Sequence, residues 1–147
     1  MLKANIGWST EADNYEAGKA AAAKAVVDLM ETKVALLYTS SDNDVDKVLK
    51  GAISEFGTAP IIGCTSSGGI IVPDGYISSE NGFVGALAIG DPDTVVGVAG
   101  SKKVKSARET GKRVAIEAMK KSRKRLPTSI FLYGSKSSRG RRLLKRY

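Results

Sequence analysis

The chain contains no histidine and only one cysteine, Cys64. A single cysteine cannot form an internal disulfide, and without histidine the usual zinc sites and a Ser-His-Asp triad cannot be assembled. Aromatic residues make up only 6% of the 147 residues, so the groups that stack on unpaired bases are scarce. These absences remove whole classes of chemistry, and we expect neither a metal nor a cofactor.

Long apolar runs are missing as well. No segment approaches the roughly 20 apolar residues that a bilayer span requires. The first five residues are not followed by the apolar stretch of a secretory signal. Hydrophobic residues account for 42% and charged residues for 26% of the chain, which is ordinary for a soluble domain. We therefore expect one cytoplasmic domain that does not engage a membrane.

The charged residues that are present are distributed unevenly. Residues 1–101 carry a net charge of −7, residues 102–125 carry +9, and residues 126–147 carry +6. A basic C-terminal third is compatible with nucleic acid or with an acidic partner. Because no nucleic-acid motif accompanies the charge, we expect no specific nucleic-acid binding and interpret the basic face of the last helix as solvated.

The spacing of apolar residues predicts an α/β fold, with a mixed parallel and antiparallel sheet and about three packed helices. The turn signal Asp91-Pro92-Asp93 predicts a hairpin between the strands on either side of it. Strands are expected at Lys3–Ser9, Lys33–Ser40, Pro60–Cys64, Ile70–Val72, Gly82–Ile89, Thr94–Ala99 and Ser129–Tyr133. Helices are expected at Asn14–Glu31, at Val45–Phe56 with an end at Gly57, and at Ala107–Lys124.

A short apolar strand runs directly into a segment of small residues between Gly63 and Gly69. Glycines allow close approach or positive φ, and hydroxyls both donate and accept hydrogen bonds. The segment is either a tight turn or a loop that binds a small polar or anionic molecule. The candidate ligand-binding residues are Gly63, Cys64, Thr65, Ser66, Ser67, Gly68 and Gly69. Residues that follow neighbouring strands form a second set: Ser9, Thr10, Ser40, Ser41 and Asp42.

Catalytic alternatives are weaker. Cys64 or a serine of the loop could act as a nucleophile only if a base or a positive environment activated it, and a packing role for Cys64 is favoured. The loop lacks the lysine of a phosphate-binding Walker motif and the glycine spacing of dinucleotide folds. Asp42, Asp44 and Asp46 lack the rest of a calcium loop, so helix capping explains them better. We expect no catalytic residue.

The segment Gly63–Gly68, together with Ile6–Thr10, the alanine-rich first helix and the strand Val34–Ser40, resembles the N-terminal half of a FIST domain. The resemblance covers about residues 3–125. It implies a sensory module of signal-transduction proteins, which is proposed to bind small ligands such as amino acids and would act through a signalling partner. At Gly69 this chain departs from an acidic residue that such sequences usually carry.

The resemblance also implies that more sheet and a second region should follow, so the chain is expected to be a truncated domain over residues 1–133. Residues 134–147 are basic and poor in apolar side chains, which predicts a disordered tail. That tail is either a functional arm or an aberrant end, and we favour the second interpretation. An uncovered sheet edge would invite self-association.

Overall fold

The computed structural model describes residues 1–102, 106–123 and 127–133. These residues form two compact units, Met1–Thr94 and Val95–Tyr133. The strands of the first unit are β1 (Lys3–Ser9), β2 (Val34–Ser40), β3 (Ile61–Ser66), β4 (Ile70–Val72), β5 (Gly75–Ile77) and β6 (Val84–Gly90). Its helices are α1 (Asn14–Val26) and α2 (Val45–Phe56), and the second unit contains α3 (Ala107–Ser122).

Four strands form one sheet in the order β1-β6-β2-β3, and β4 pairs with β5 in a separate hairpin. Strand β6 is antiparallel to both β1 and β2, whereas β2 and β3 are parallel. Strands β1, β2 and β3 therefore run in the same direction. The predicted fold class, mixed α/β with three helices, is confirmed.

Both helices of the first unit start at an aspartate cap. The Asp13 side chain accepts hydrogen bonds from the backbone N–H groups of Tyr15 and Glu16, and Asp44 does the same for Asp46 and Lys47. Such caps satisfy amides that a helix leaves without partners at its N-terminus. Helix α2 ends as predicted at Gly57, which takes a φ of 59°.

The core lies between these two helices and one face of the sheet. Alanine dominates α1, while α2 contributes larger side chains such as Leu49 and Phe56. The helices cross closely because each has a glycine at the contact. A Cβ on Gly18 would overlap the Val48 carbonyl, and a Cβ on Gly51 would overlap the Tyr15 carbonyl. Close contact between helix backbones thus depends on the absence of two side chains.

Helix α1 is shorter than predicted, because it ends at Val26 rather than at Glu31. The chain leaves the helix at Val27 and turns through Asp28, whose φ of 59° is left-handed. Aspartate tolerates this conformation better than most residues. The turn returns the apolar side chain of Leu29 to the core, where it packs against the buried residues.

Two predicted strands are absent. Thr94–Ala99 has no strand, so the predicted hairpin is wrong. The reason is that β6 already pairs with β1 on one edge and β2 on the other. The Asp91 turn itself is confirmed by a hydrogen bond from the Thr94 N–H to the Asp91 carbonyl, 3.0 Å. Ser129–Tyr133 is also not a strand, and its apolar side chains at 130–132 are exposed. The predicted tail lies outside the described residues.

Substitution of Gly18 by alanine should destabilise the protein by about 1–3 kcal/mol, because the new methyl group would force α1 and α2 apart. Gly111, in the interior of α3, is a matched control because a Cβ there meets nothing within 4 Å. Gly111→Ala should stabilise by roughly 0.5–1 kcal/mol through helix propensity. Urea unfolding followed by circular dichroism measures both. A Gly18→Ala variant as stable as the parent would contradict the close crossing.

Candidate functional site

The carboxyl ends of β1, β2 and β3 meet at one edge of the sheet, because the three strands run in the same direction. Ser9 and Thr39 are both paired with Val84, and Thr39 is paired with Thr65. Side chains in one such row share a face, and Val84 belongs to the core beneath the helices. Ser40, paired with Ser66, lies one residue further on and so points to the opposite face.

The small-residue segment is more ordered than predicted. Residues from Gly63 to Ser66 belong to β3, so only Ser67, Gly68 and Gly69 form a loop. The Ser66 hydroxyl closes this loop by donating to the Gly69 carbonyl, 3.0 Å. The Ser66 carbonyl accepts from the Ser41 N–H, 2.9 Å, and joins the loop to the end of β2. The structure thus brings the two predicted sets of residues together at β2 and β3.

None of the three glycines predicted to favour a binding loop has a positive φ. Gly63 is required for the pairing of two strands, since its Cβ would overlap the backbone of Leu37. Gly69 is required by the hairpin, since its Cβ would lie 2.6 Å from the Tyr76 ring. Gly68 is exposed, and its Cβ would lie 3.4 Å from the Tyr76 hydroxyl. Of the three, only Gly68 is exposed and could carry a side chain without a severe overlap.

The remaining predicted residues stabilise the turns at this edge. The Ser9 hydroxyl accepts a hydrogen bond from the Glu11 N–H, 3.2 Å, and the Ser40 hydroxyl accepts one from the Asp42 N–H, 3.3 Å. Ser9 and Ser40 are buried, Thr10 is half-buried, and Ser41 and Asp42 are exposed. The edge therefore combines buried hydroxyls with an exposed rim.

Sequence reasoning missed a polar network beside these turns. The Asn43 amide donates to the hydroxyl of fully buried Thr39, 2.9 Å, which in turn donates to the Phe83 carbonyl, 3.2 Å. Gly82 makes room for Asn43 by having no side chain, and its φ is 81°. The signal in the sequence is the cluster of short polar residues Ser41–Asp44 directly after β2. The network fixes the connection that follows β2.

The rim of the edge is acidic. Asp13 and Asp44 cap the helices that start here, as the sequence predicted for Asp44, and the Asp44 N–H also donates to the Asn14 side chain. Because carboxylates already occupy the positive ends of both helix dipoles, these ends do not offer anion sites. The acidic residues at the rim are Glu11, Asp13, Asp42, Asp44 and Asp46.

Cys64 lies within β3, paired with Tyr38, and is half-buried. Burial raises the pKa of the Cys64 thiol. At neutral pH the side chain is therefore a thiol rather than the thiolate that nucleophilic chemistry needs. Its position and its ionisation both fit the packing role.

The hairpin of β4 and β5 follows the loop and packs against β1 and β6. The Trp8 indole donates to the Asp74 carboxylate, 3.2 Å, and the Ile70 side chain occupies the space above Gly85. Ile71 and Tyr76 are paired across the hairpin and are 87% and 64% exposed. The hairpin is thus held at its start by Ile70 and at its turn by Asp74, and its outer side is exposed.

A family model described as the FIST N domain matches residues 33–146, well over half of the sequence. The chain belongs to the FIST N domain family. FIST domains are sensory domains of signal-transduction proteins. The match begins after α1 and ends beyond residue 125, so its bounds differ from the resemblance noted in the sequence. It includes all of Gly63–Gly69.

No curated protein matches the FIST chain. Among solved structures, the empty FtsZ dimer of M. jannaschii is similar at 18% sequence identity with a TM-score of 0.38. That alignment covers 65% of this chain and 28% of the FtsZ chain. A TM-score this low does not establish a shared fold.

Other kinds of site are not found among the described residues. A groove of about 310 Å³ is lined there only by α3 residues, and it contains no candidate ligand-binding residue. Because one helix supplies this whole lining, the groove is a surface feature rather than an enclosed pocket. In the described ranges, no group of three acidic or cysteine residues could hold a metal ion. None of the helices there combines the length and hydrophobicity of a membrane span.

Substitution by alanine should lower the stability of the protein much more at Gly69 than at Gly68. Gly69→Ala should cost about 1–3 kcal/mol, because its Cβ would run into the Tyr76 ring. Gly68→Ala should change stability by less than about 0.5 kcal/mol, because it makes only an ordinary contact. Thermal unfolding of the two variants tests the difference. Equal losses would show that the hairpin does not pack on Gly69 as described.

Cys64 should react slowly with iodoacetamide at pH 7, more slowly than in the same chain unfolded in urea. The raised pKa leaves less thiolate, and partial burial hinders access. The rate should increase as pH rises toward the raised pKa. Faster modification of the folded protein than of the unfolded chain would instead favour the cysteine-dependent enzyme.

Proposed function

We propose that this FIST N domain is a non-enzymatic sensor that binds a small ligand, an amino acid being the favoured class. The observation that carries the proposal is the meeting of three strand ends at one edge, where Gly68 is exposed. In α/β proteins ligands bind at the carboxyl ends of strands. The sensory character of the family supports the same function.

The charges at the edge favour a ligand with an ammonium group. The acidic rim would attract a cation, whereas the helix N-termini are occupied by aspartate caps. The amides of the loop and the hydroxyl of Ser67 would donate hydrogen bonds to a carboxylate. An amino acid carries both groups, which is why it fits this edge better than a simple anion.

The absence of enzymatic activity is part of the proposal. No histidine is available as a base, and burial disfavours the Cys64 thiolate. The Ser66 hydroxyl already donates to the Gly69 carbonyl, which makes it a structural group of the loop. We also propose a cytoplasmic location and a protein partner that transmits the signal. Self-association through an uncovered sheet edge remains a further proposal.

A thermal-shift screen against amino acids, matched amines and matched carboxylates tests the function. At a hundredfold excess over Kd, a ligand stabilises the folded state by about 2.7 kcal/mol, or roughly 10 °C in Tm for a domain of this size. Amino acids should raise Tm, amines less so, and carboxylates least. A Tm unchanged by every amino acid would contradict the proposal.

Gly68→Val should abolish binding of a hit while the protein stays folded, because the side chain would cover the exposed backbone of the loop. Gly111→Val introduces the same side chain in α3, which contains no candidate residue, and should leave the affinity unchanged. Titration calorimetry with both variants separates the two positions. Undiminished affinity in folded Gly68→Val would remove the loop from the site.

A further inference from the structure

Helix α1 makes close backbone contacts with both β1 and α2, because small residues lie at each contact. On one side the backbone of β1 packs against it, because a Cβ on Gly7 would overlap the Ala21 carbonyl and lie 2.7 Å from the Ala25 nitrogen. The Lys24 ammonium group then donates to the carbonyl of Trp8, 2.9 Å. On the other side α1 packs against α2.

The second unit repeats the first of these contacts around α3. A Cβ on Gly97 would overlap the Ala118 carbonyl and lie 2.7 Å from the Ser122 nitrogen. The Lys121 ammonium group donates to the Val98 carbonyl, 2.7 Å. In both units the lysine comes three residues after the alanine and donates to the residue after the glycine. Position n of α1 therefore corresponds to position n + 97 of α3.

Both helices also begin at a side-chain cap. Ser106 caps α3 by accepting from the Glu109 N–H, as Asp13 caps α1 by accepting from the Glu16 N–H. Helix α3 has 16 residues and α1 has 13, which places an additional turn before the shared contact. The second unit thus repeats the contact between β1 and α1, with a segment that is not a strand in the place of β1.

What the second unit lacks among its described residues is an equivalent of α2. In α1 the residues at the α2 contact include Tyr15, Gly18 and Lys19, and Ala22 is buried one turn further. Their counterparts in α3 are Lys112, Ala115, Ile116 and Met119, which we name the α3 stripe. No residue of α3 is buried, and Ile116 is 38% exposed.

We propose that the α3 stripe docks an acidic amphipathic helix of a partner protein, in the manner in which α2 packs on α1. A helix is expected because the equivalent face of the first unit is covered by one. It should be acidic because α3 contains five basic and two acidic residues. Small residues at its contact would match Ala115, which stands at the position of Gly18.

Segments of this chain fit the stripe poorly. The apolar residues of α2 are already buried against α1, so α2 of a second copy is not available. Residues 134–147 contain six basic and no acidic residues, and like charges would repel them from the stripe. Neither of these two segments therefore has the acidic, uncovered apolar face that the stripe requires.

Fluorescence anisotropy with two labelled peptides tests the proposal on the full chain. Both carry the α2 sequence of residues 44–57; in the acidic peptide Lys47 and Lys50 are replaced by Glu, and in the basic peptide Asp46 and Glu55 are replaced by Lys. The acidic peptide should bind, and added salt should weaken it. No binding at about 1 mM acidic peptide, or equal binding of both peptides, would overturn the proposal.

Two arginine variants locate the binding surface. Ala115→Arg places a long cation where the docked helix would come closest to α3. It should weaken binding of the acidic peptide by at least about tenfold. Glu117→Arg adds positive charge beside the stripe but not within it, so the affinity for the acidic peptide should stay the same or increase. Circular dichroism verifies that both fold. Binding that Ala115→Arg leaves intact would place the peptide elsewhere, including on α1, and the α3 stripe would be rejected. Neither peptide experiment involves an amino-acid ligand, so a failure of this proposal can be distinguished from a failure of the proposed sensor function.

Discussion

The arrangement depends on the position of β6 between β1 and β2. Because β6 runs antiparallel to both, β1 and β2 become parallel to each other and to β3. Three connections then leave the sheet at the same edge, and the two that start helices do so at aspartate caps. If Thr94–Ala99 had replaced β1 beside β6, this convergence would have been lost. One strand thus determines where the candidate site lies.

Local patterns predicted much of this fold, because they depend on neighbouring residues. The apolar run of β2, the cap at Asp44 and the end of α2 at Gly57 are read directly from short segments. The serine-rich ends of the strands were also identified, and their convergence followed from the expected parallel strands. These features need no knowledge of distant contacts.

Long-range pairing could not be predicted in the same way. The sequence around Asp91 fits a hairpin, and nothing local shows that β1 occupies the place of its second strand. The steric requirement for Gly63 and Gly69 could not be predicted for a similar reason, since the side chain each one excludes would meet residues on other strands. Likewise, the Asn43 amide donates a hydrogen bond to the carbonyl of Phe83, which is 40 positions away. Each error concerns a partner that is remote in sequence.

The two sides of the candidate site differ in how firmly they are held. The helix side is tied by the Asn14 contact to Asp44, by both caps and by the close glycine crossing. The loop side is held by the Ser66 hydrogen bond and by the packing of Tyr76, and its outer residues are exposed. Segments with few buried contacts open at the lowest free energy. A ligand at Gly68 would therefore act first on the loop and the β4–β5 hairpin, so the exposed pair Ile71 and Tyr76 is where a bound state would differ most from the free one.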